Sequence, residues 1–276
     1  MMQQQQQYIG VFDSGYGGLT VLKEIAALLP SYDFMYLGDN ARAPYGPLDF
    51  DTVYKYTLQA VQWFFNQGCH LVILACNTAS AKALRTIQQN DLPHLAPHKR
   101  VLGVIRPTSE VINQYTKTNH VGILATNGTV QSASYLLEIK KLHPQIVVAQ
   151  EASPAWVDLV ESGAYNTPMA DGPVQYHVNN LLQKDASIDC LLLACTHYPL
   201  LINKIKTYTP QHVTVLSQGN IVAESLVQYL QKHPEIDAHC SKNGERKFFT
   251  TGNTIDFDNH ASVFFGETIV STQVKI

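Results

Sequence analysis

Leu71-Val72-Ile73-Leu74-Ala75-Cys76-Asn77-Thr78 decides the fold, because its phrasing returns as Leu191-Leu192-Leu193-Ala194-Cys195-Thr196-His197. Each stretch is a short run of branched aliphatic residues without polar alternation, as expected of a strand buried on both faces. Each turns polar at a cysteine and then opens a helix. Working outward, apolar residues at Leu19, Leu22, Ile25, Ala26 and Leu29 form a helical stripe stopped by Pro30. Val53, Thr57, Ala60, Val61 and Phe64 mark a second, longer stripe, with Gly68 where a C-terminal glycine cap belongs. Further strand-like runs fall at 8–12, 33–37, 101–105, 120–125, 146–150 and 213–216, with helices at 77–89 and 129–142 between them. Strands alternating with helices specify an α/β fold of mostly parallel sheets flanked by helices. The two cysteines lie 119 residues apart, about one lobe of chain. Two similar lobes would then each present a cysteine at a strand's carboxyl end to a shared cleft, where ligands of such sheets bind.

Composition removes several classes of function. The 276 residues are 45% hydrophobic, enough for two cores, and only 15% charged, against about 25% in ordinary globular chains. A formal charge of −3 without like-charged blocks argues against a nucleic-acid partner. No apolar run approaches the ~18 residues of a membrane span. The chain opens on a glutamine tract, read as a disordered tail over 1–7, and has no Lys or Arg before Lys23, so no secretory signal is expected. Five cysteines without CxxC spacing suggest neither disulfides nor a zinc ribbon. These features describe a soluble, cytoplasmic protein.

Cys69, Cys190 and Cys240 read as small buried hydrophobes. Cys76 and Cys195 differ because each precedes a helix start, where the macrodipole favours an anion. Thr78 is a candidate cap for the first of these helices, and Pro199 suits the first turn of the second. Two facing thiols fit inversion of a stereocentre, which needs a base on one face of a carbon and an acid on the other. Asp13-Ser14-Gly15-Tyr16-Gly17-Gly18-Leu19 follows the first strand, but its spacing is neither GxGxxG nor a P-loop. A tight turn capped by Asp13 is the plainer reading, and Asp13 could also point toward Cys76. His197 is either a helix-end hydrogen bonder or the proton partner of Cys195. Charge statistics place Glu161 on the surface. His94 and His98 sit between prolines in a loop and are not read as metal ligands.

With Asp13-Ser14-Gly15, Gly17-Gly18-Leu19, Tyr36-Leu37-Gly38-Asp39, Pro44-Tyr45-Gly46, Cys76-Asn77-Thr78-Ala79, Gly103-Val104-Ile105 and Cys195-Thr196-His197-Tyr198-Pro199-Leu200, the chain resembles the glutamate racemase family. The likeness runs from about Tyr8 to the end and is weakest after Ser241. It implies a cofactor-independent, metal-free enzyme that interconverts L- and D-glutamate and supplies D-glutamate for peptidoglycan. By that resemblance Cys76 handles the α-proton of the D-enantiomer, assisted by Asp13, and Cys195 that of the L-enantiomer, assisted by His197 and Glu161. Substrate contacts map onto Asp13, Ser14, Tyr45, Gly46, Asn77, Thr78, Thr196 and His197, with Thr126 and Thr129 added by position. The lobes would be discontinuous: 1–100, then 101–218, with 219–276 returning to complete the first. A homodimer is left open. Arg106, Ser153 and Ser217 stand where the family often has Glu, Cys and Asp. Only the glutamine tract precedes Tyr8, so activation by a cell-wall precursor through an N-terminal extension is not expected.

Rival readings are a superfamily relative acting on aspartate, a hydantoin or maleate, and a non-catalytic amino-acid-binding regulator. The paired cysteines do not choose among the enzymes, although the longer motifs favour glutamate. A degenerate binder should have lost a thiol, and both remain. A thiol phosphatase lacks its Cys-x5-Arg cradle.

Overall fold

The computed structural model describes residues 7–276. It contains two all-parallel sheets. The first has the order β10-β9-β2-β1-β3-β4 and the second β6-β5-β7-β8. The strands are β1 Ile9–Asp13, β2 Phe34–Gly38, β3 Leu71–Leu74, β4 Arg100–Gly103, β5 His120–Ala125, β6 Val147–Ala152, β7 Cys190–Ala194, β8 Thr214–Ser217, β9 Arg246–Thr250 and β10 Ser271–Gln273. Within these orders the runs β2-β1-β3-β4 and β6-β5-β7-β8 match. The echo between residues 72–78 and 191–197 is therefore a structural equivalence of β3 and β7.

β1, β3 and β7 are buried along their whole length, as continuous aliphatic runs require, whereas edge strand β6 is partly open. The stripe Leu19, Leu22, Ile25, Ala26 and Leu29 is buried, and Leu19–Leu28 is a helix that covers the sheet. Helix Phe50–Asn66 begins at Asp49, whose carboxylate accepts the Thr52 N–H at 2.8 Å, and ends before Gly68 at φ +89°. Only a residue without Cβ adopts that conformation cheaply. The helix expected over 77–89 is interrupted at Ala83 and continues as a widened turn over Ile87–Asp91. His94 lies on the single helical turn Leu92–Leu95 rather than in a loop.

The boundary expected near residue 100 falls inside β4. That strand pairs with β3, Val72 opposite Val101, so the first sheet keeps the chain to Gly103. An edge strand closing one lobe looks, in sequence, like the strand opening the next, and only its pairing tells them apart. The chain recrosses after β8, and helix Gly219–Lys232 packs on helix Leu19–Leu28. β9 and β10 then extend the first sheet beside β2. The tail reading of 1–6 lies outside the described residues. Gln7 is tied down, its carbonyl accepting the Ser241 N–H at 2.9 Å. Among the described residues no helix is long and apolar enough to cross a membrane.

Candidate active site

Both sheets reverse direction of winding at a central strand. From β1 the chain goes to β2 on one side and then to β3 on the other; β5, β6 and β7 repeat this. Crevices form at the carboxyl ends of such switch points. Ser14 and Cys76 leave the ends of β1 and β3, while Thr126 and Cys195 leave the ends of β5 and β7. All four line one cavity of about 310 Å³. Its walls also include Tyr45, Gly46, Asn77, Thr78, Glu161, Thr196 and His197. Asp13 and Thr129 are not among its lining residues. Thr129 stands behind the wall, its hydroxyl accepting from Thr126 at 3.2 Å.

Cys76 itself, not Thr78, caps the helix Asn77–Lys82: its Sγ accepts the Ala79 N–H at 3.4 Å. The Ser14 hydroxyl lies 3.5 Å from the same sulfur. The helix-start bias does not prevail here. Burial, followed by the nearby Asp13 carboxylate, pushes the Cys76 thiol up to about 12, so at neutral pH it holds its proton. Thr78 instead meets Thr126 of the other lobe, hydroxyl to hydroxyl at 2.9 Å.

Asp13 is fully buried and accepts the Gly15 N–H at 3.0 Å, closing the turn rather than capping the following helix. Its other oxygen accepts from the Thr196 hydroxyl at 3.4 Å. Burial raises its affinity for a proton, with the positive charge of His197 pulling the other way. The glycine turn serves close approach between the lobes, not phosphate binding. A Cβ on Gly17 would overlap Thr196 Oγ1 and come within 2.5 Å of His197 Nδ1. The Thr20 hydroxyl donates to the Thr196 carbonyl at 3.0 Å across the same seam.

His197 is buried, with Nε2 2.8 Å from Glu161 Oε1. Burial disfavours the charged ring, but hydrogen bonds to Cys195 and Glu161 outweigh it and raise His197 to about 10. At neutral pH the ring is therefore charged, with Glu161 on its Nε2 and Cys195 nearby. Glu161 is not the plain surface residue that charge statistics suggest. It ends helix Ala155–Glu161 at the cavity rim, with its side chain 32% exposed. Phe264, from the returning C-terminal segment, packs its ring edge-on to His197 at 5.2 Å.

Tyr45 is buried and donates its hydroxyl to Asp39, which also takes Arg42 Nε at 2.6 Å and the Thr251 hydroxyl at 2.7 Å. That network holds the Pro44-Tyr45-Gly46 wall. Sequence reasoning missed Asn127, Val157 and Asp158, which also line the cavity. Asp158 lies one helical turn before Glu161, so amphipathic spacing could have found it; Asn127 and Val157 carry no such signal. Cys69, Cys190 and Cys240 are buried, and burial pushes each up to about 12. Among the described residues no group of three His, Cys, Asp or Glu is placed to hold a metal ion.

Two sheets of matched strand order thus each send a cysteine, just past the end of a strand, to one cavity. The family model for Asp/Glu/Hydantoin racemase matches residues 9–226. The chain belongs to that family. A glutamate racemase from Ruegeria sp. (strain TM1040) is 38% identical over 266 residues, covering 93% of this chain and 96% of the relative. A crystal structure of glutamate racemase from Bacillus anthracis superposes with a TM-score of 0.89 at 34% identity, covering 99% of both chains. The glutamate racemase of Francisella tularensis, solved in complex with D-glutamate, gives 0.86 at 29% identity, covering 98% of both. The fold is that of these racemases, and the chain is an amino-acid racemase.

Proposed function

We propose that this chain interconverts L- and D-glutamate by a two-base mechanism, with Cys195 and Cys76 on opposite faces of the α-carbon, and supplies D-glutamate for peptidoglycan in the cytoplasm. The observation that carries the reading is that both cysteines, from equivalent strand ends, line a single cavity of about 310 Å³. That volume lies at the small end of ligand sites, as a five-carbon amino acid requires. The curated relatives, which match nearly end to end, are named for glutamate.

The proton on Cys76 supports a direction. Cys76 is protonated and so is ready to deliver. Cys195 neighbours the His197 ring, which would receive or return a proton beside it. With L-glutamate bound, the Cα–H bond breaks and its proton passes to Cys195, leaving the electron pair on Cα. Cys76 gives its proton to the opposite face, forming D-glutamate and leaving a thiolate at Cys76. Buried Asp13, whose proton affinity is raised, stands close enough to influence Cys76 and takes part in resetting it. Hydroxyls and main-chain N–H groups of Ser14, Asn77, Thr78, Thr126 and Thr196 receive the two carboxylates. Tyr45 and Gly46 wall the site, and Thr129 supports Thr126.

The test is racemisation of L-glutamate and, separately, L-aspartate in heavy water, with enantiomers separated and weighed over the first few per cent of conversion. D-glutamate should carry deuterium while remaining L-glutamate stays largely unlabelled. Unlabelled early D-glutamate would refute two bases. Turnover of aspartate in place of glutamate would refute the substrate.

A further inference from the structure

The chain passes between the sheets twice, after β4 and after β8, and the second crossing carries Gln218 between Ser217 and the helix Gly219–Lys232. Gln218 is 4% exposed and does not line the cavity, and both ends of its carboxamide are hydrogen-bonded. Its Oε1 accepts from Asn77 Nδ2 at 2.8 Å. Its two Nε2 hydrogens go to the Tyr135 hydroxyl and to Thr108 Oγ1 at 2.9 Å, with the Val104 carbonyl 3.4 Å away. Tyr135 in turn donates to Asn77 Oδ1 at 2.6 Å.

These bonds close a ring. Asn77 donates to Gln218, Gln218 donates to Tyr135, and Tyr135 donates to Asn77. Each member gives one proton and accepts one within the ring, so both carboxamides are held in one orientation, and each bond polarises the next. Val104 and Thr108 belong to the first crossing, Gln218 to the second, and Tyr135 to the second lobe. Asn77, which follows Cys76 and lines the cavity, belongs to the first lobe.

We propose that Gln218 is a positioning residue for the reaction: through its carboxamide it ties both inter-sheet crossings to Asn77 and so sets where the Cys76 sulfur stands relative to the second lobe. This rests on the assignment of Cys76 as one of two bases. Gln218→Glu cannot replace the glutamine, because a carboxylate has no N–H for Tyr135 and would oppose the Val104 carbonyl. Gln218→Met keeps the length and removes the ring. Tyr135→Phe opens the same ring at one atom.

Because L- and D-glutamate are equally stable, kcat/KM must fall equally in both directions, and rates alone cannot say which thiol has moved. Isotope effects can. Deuterium on the α-carbon of D-glutamate reports transfer to Cys76, and on L-glutamate it reports transfer to Cys195. The experiment measures kcat/KM for both deuterated and undeuterated enantiomers with the wild-type, Gln218→Met, Tyr135→Phe and double-variant full-length chains. We expect kcat/KM to fall between about tenfold and a hundredfold in Gln218→Met, as small misplacements of reacting groups do. The isotope effect on D-glutamate should rise relative to that on L-glutamate. Tyr135→Phe should shift the ratio the same way, and the double variant should be no worse than Gln218→Met alone. A merely structural glutamine would lower activity with that ratio unchanged, and this result overturns the proposal. Should Gln218→Met not fold, Tyr135→Phe decides by the same ratio. If Cys76→Ala retains turnover, the two-thiol reading falls. If it is inactive but the ratio does not move, only the role of Gln218 falls.

Discussion

Glu161→Gln isolates the charge that holds the His197 proton. Glutamine keeps an oxygen able to accept from Nε2 at the 2.8 Å position but carries no negative charge. The ordinary imidazole value is 6.5 and His197 stands at about 10; at 1.36 kcal/mol per pH unit the difference is at most about 5 kcal/mol in favour of the charged ring. That preference is the balance of burial, which opposes the charge, and two partners, Cys195 and Glu161, which favour it. Removing the charge of one of these two partners should bring His197 down by about one to two pH units, or roughly 2 kcal/mol. The assay is kcat/KM for L-glutamate followed by circular dichroism from pH 6 to 11, which reads the free enzyme. The alkaline limb should lie near pH 10 in the wild type and move down by that interval in the variant. Stability gives an independent check on the sign. The folded protein binds this proton more tightly than the unfolded chain, so the stabilisation is present in full below about pH 6.5 and is lost as pH rises through about 10. Urea midpoints of wild type and variant should therefore differ most near neutrality and converge above pH 10. Coincident alkaline limbs would refute the assignment of His197 as a cation held by Glu161.

Cys76→Ala and Cys195→Ala should each lower racemisation by about 10²- to 10⁴-fold, the usual weight of an acid–base group, with far-ultraviolet circular dichroism unchanged. Near-wild-type turnover in either would remove that thiol from the reaction. Gly17→Ala should displace the Thr196-His197 segment, since its Cβ meets both residues, and lower kcat/KM by about a hundredfold. A wild-type rate would show that the seam can yield.

The part of this molecule written plainly in its sequence is the part governed by local pattern. β3 and β7 were legible because a strand buried on both faces must be aliphatic throughout, and because each ends in the same Leu-Ala-Cys phrase. The helical stripe from Leu19 to Leu29 was legible for the same reason. That β4 joins the first sheet was not legible, because pairing with β3 leaves no mark on Val101 and Leu102 themselves. Thr78 looked like the cap because threonine commonly is one; the geometry gave that place to the cysteine and turned the threonine toward Thr126. The proton held by Cys76 could not be read either, since a helix start argues for an anion and only the depth of burial reverses it. Gln218 and Phe264 carry no local signal: each acts on residues more than sixty positions away. Glu161 shows the limit from the other direction, as its frequency-based placement gives no hint of His197.

The seam around the cavity has a further consequence. It is made of hydroxyl, ring and main-chain contacts: Thr20 on Thr196, Thr78 on Thr126, Phe264 on His197. Among the described residues every ion pair lies within a single lobe, including His197–Glu161, which belongs wholly to the second. Swinging the lobes apart about the crossings at 104 and 218 would break none of these ion pairs, though it would weaken the attraction across the seam between Asp13 and His197. The His197–Glu161 pair would travel intact with the second lobe, and because hydroxyl and ring contacts make up most of the seam, its opening would depend only weakly on dissolved salt.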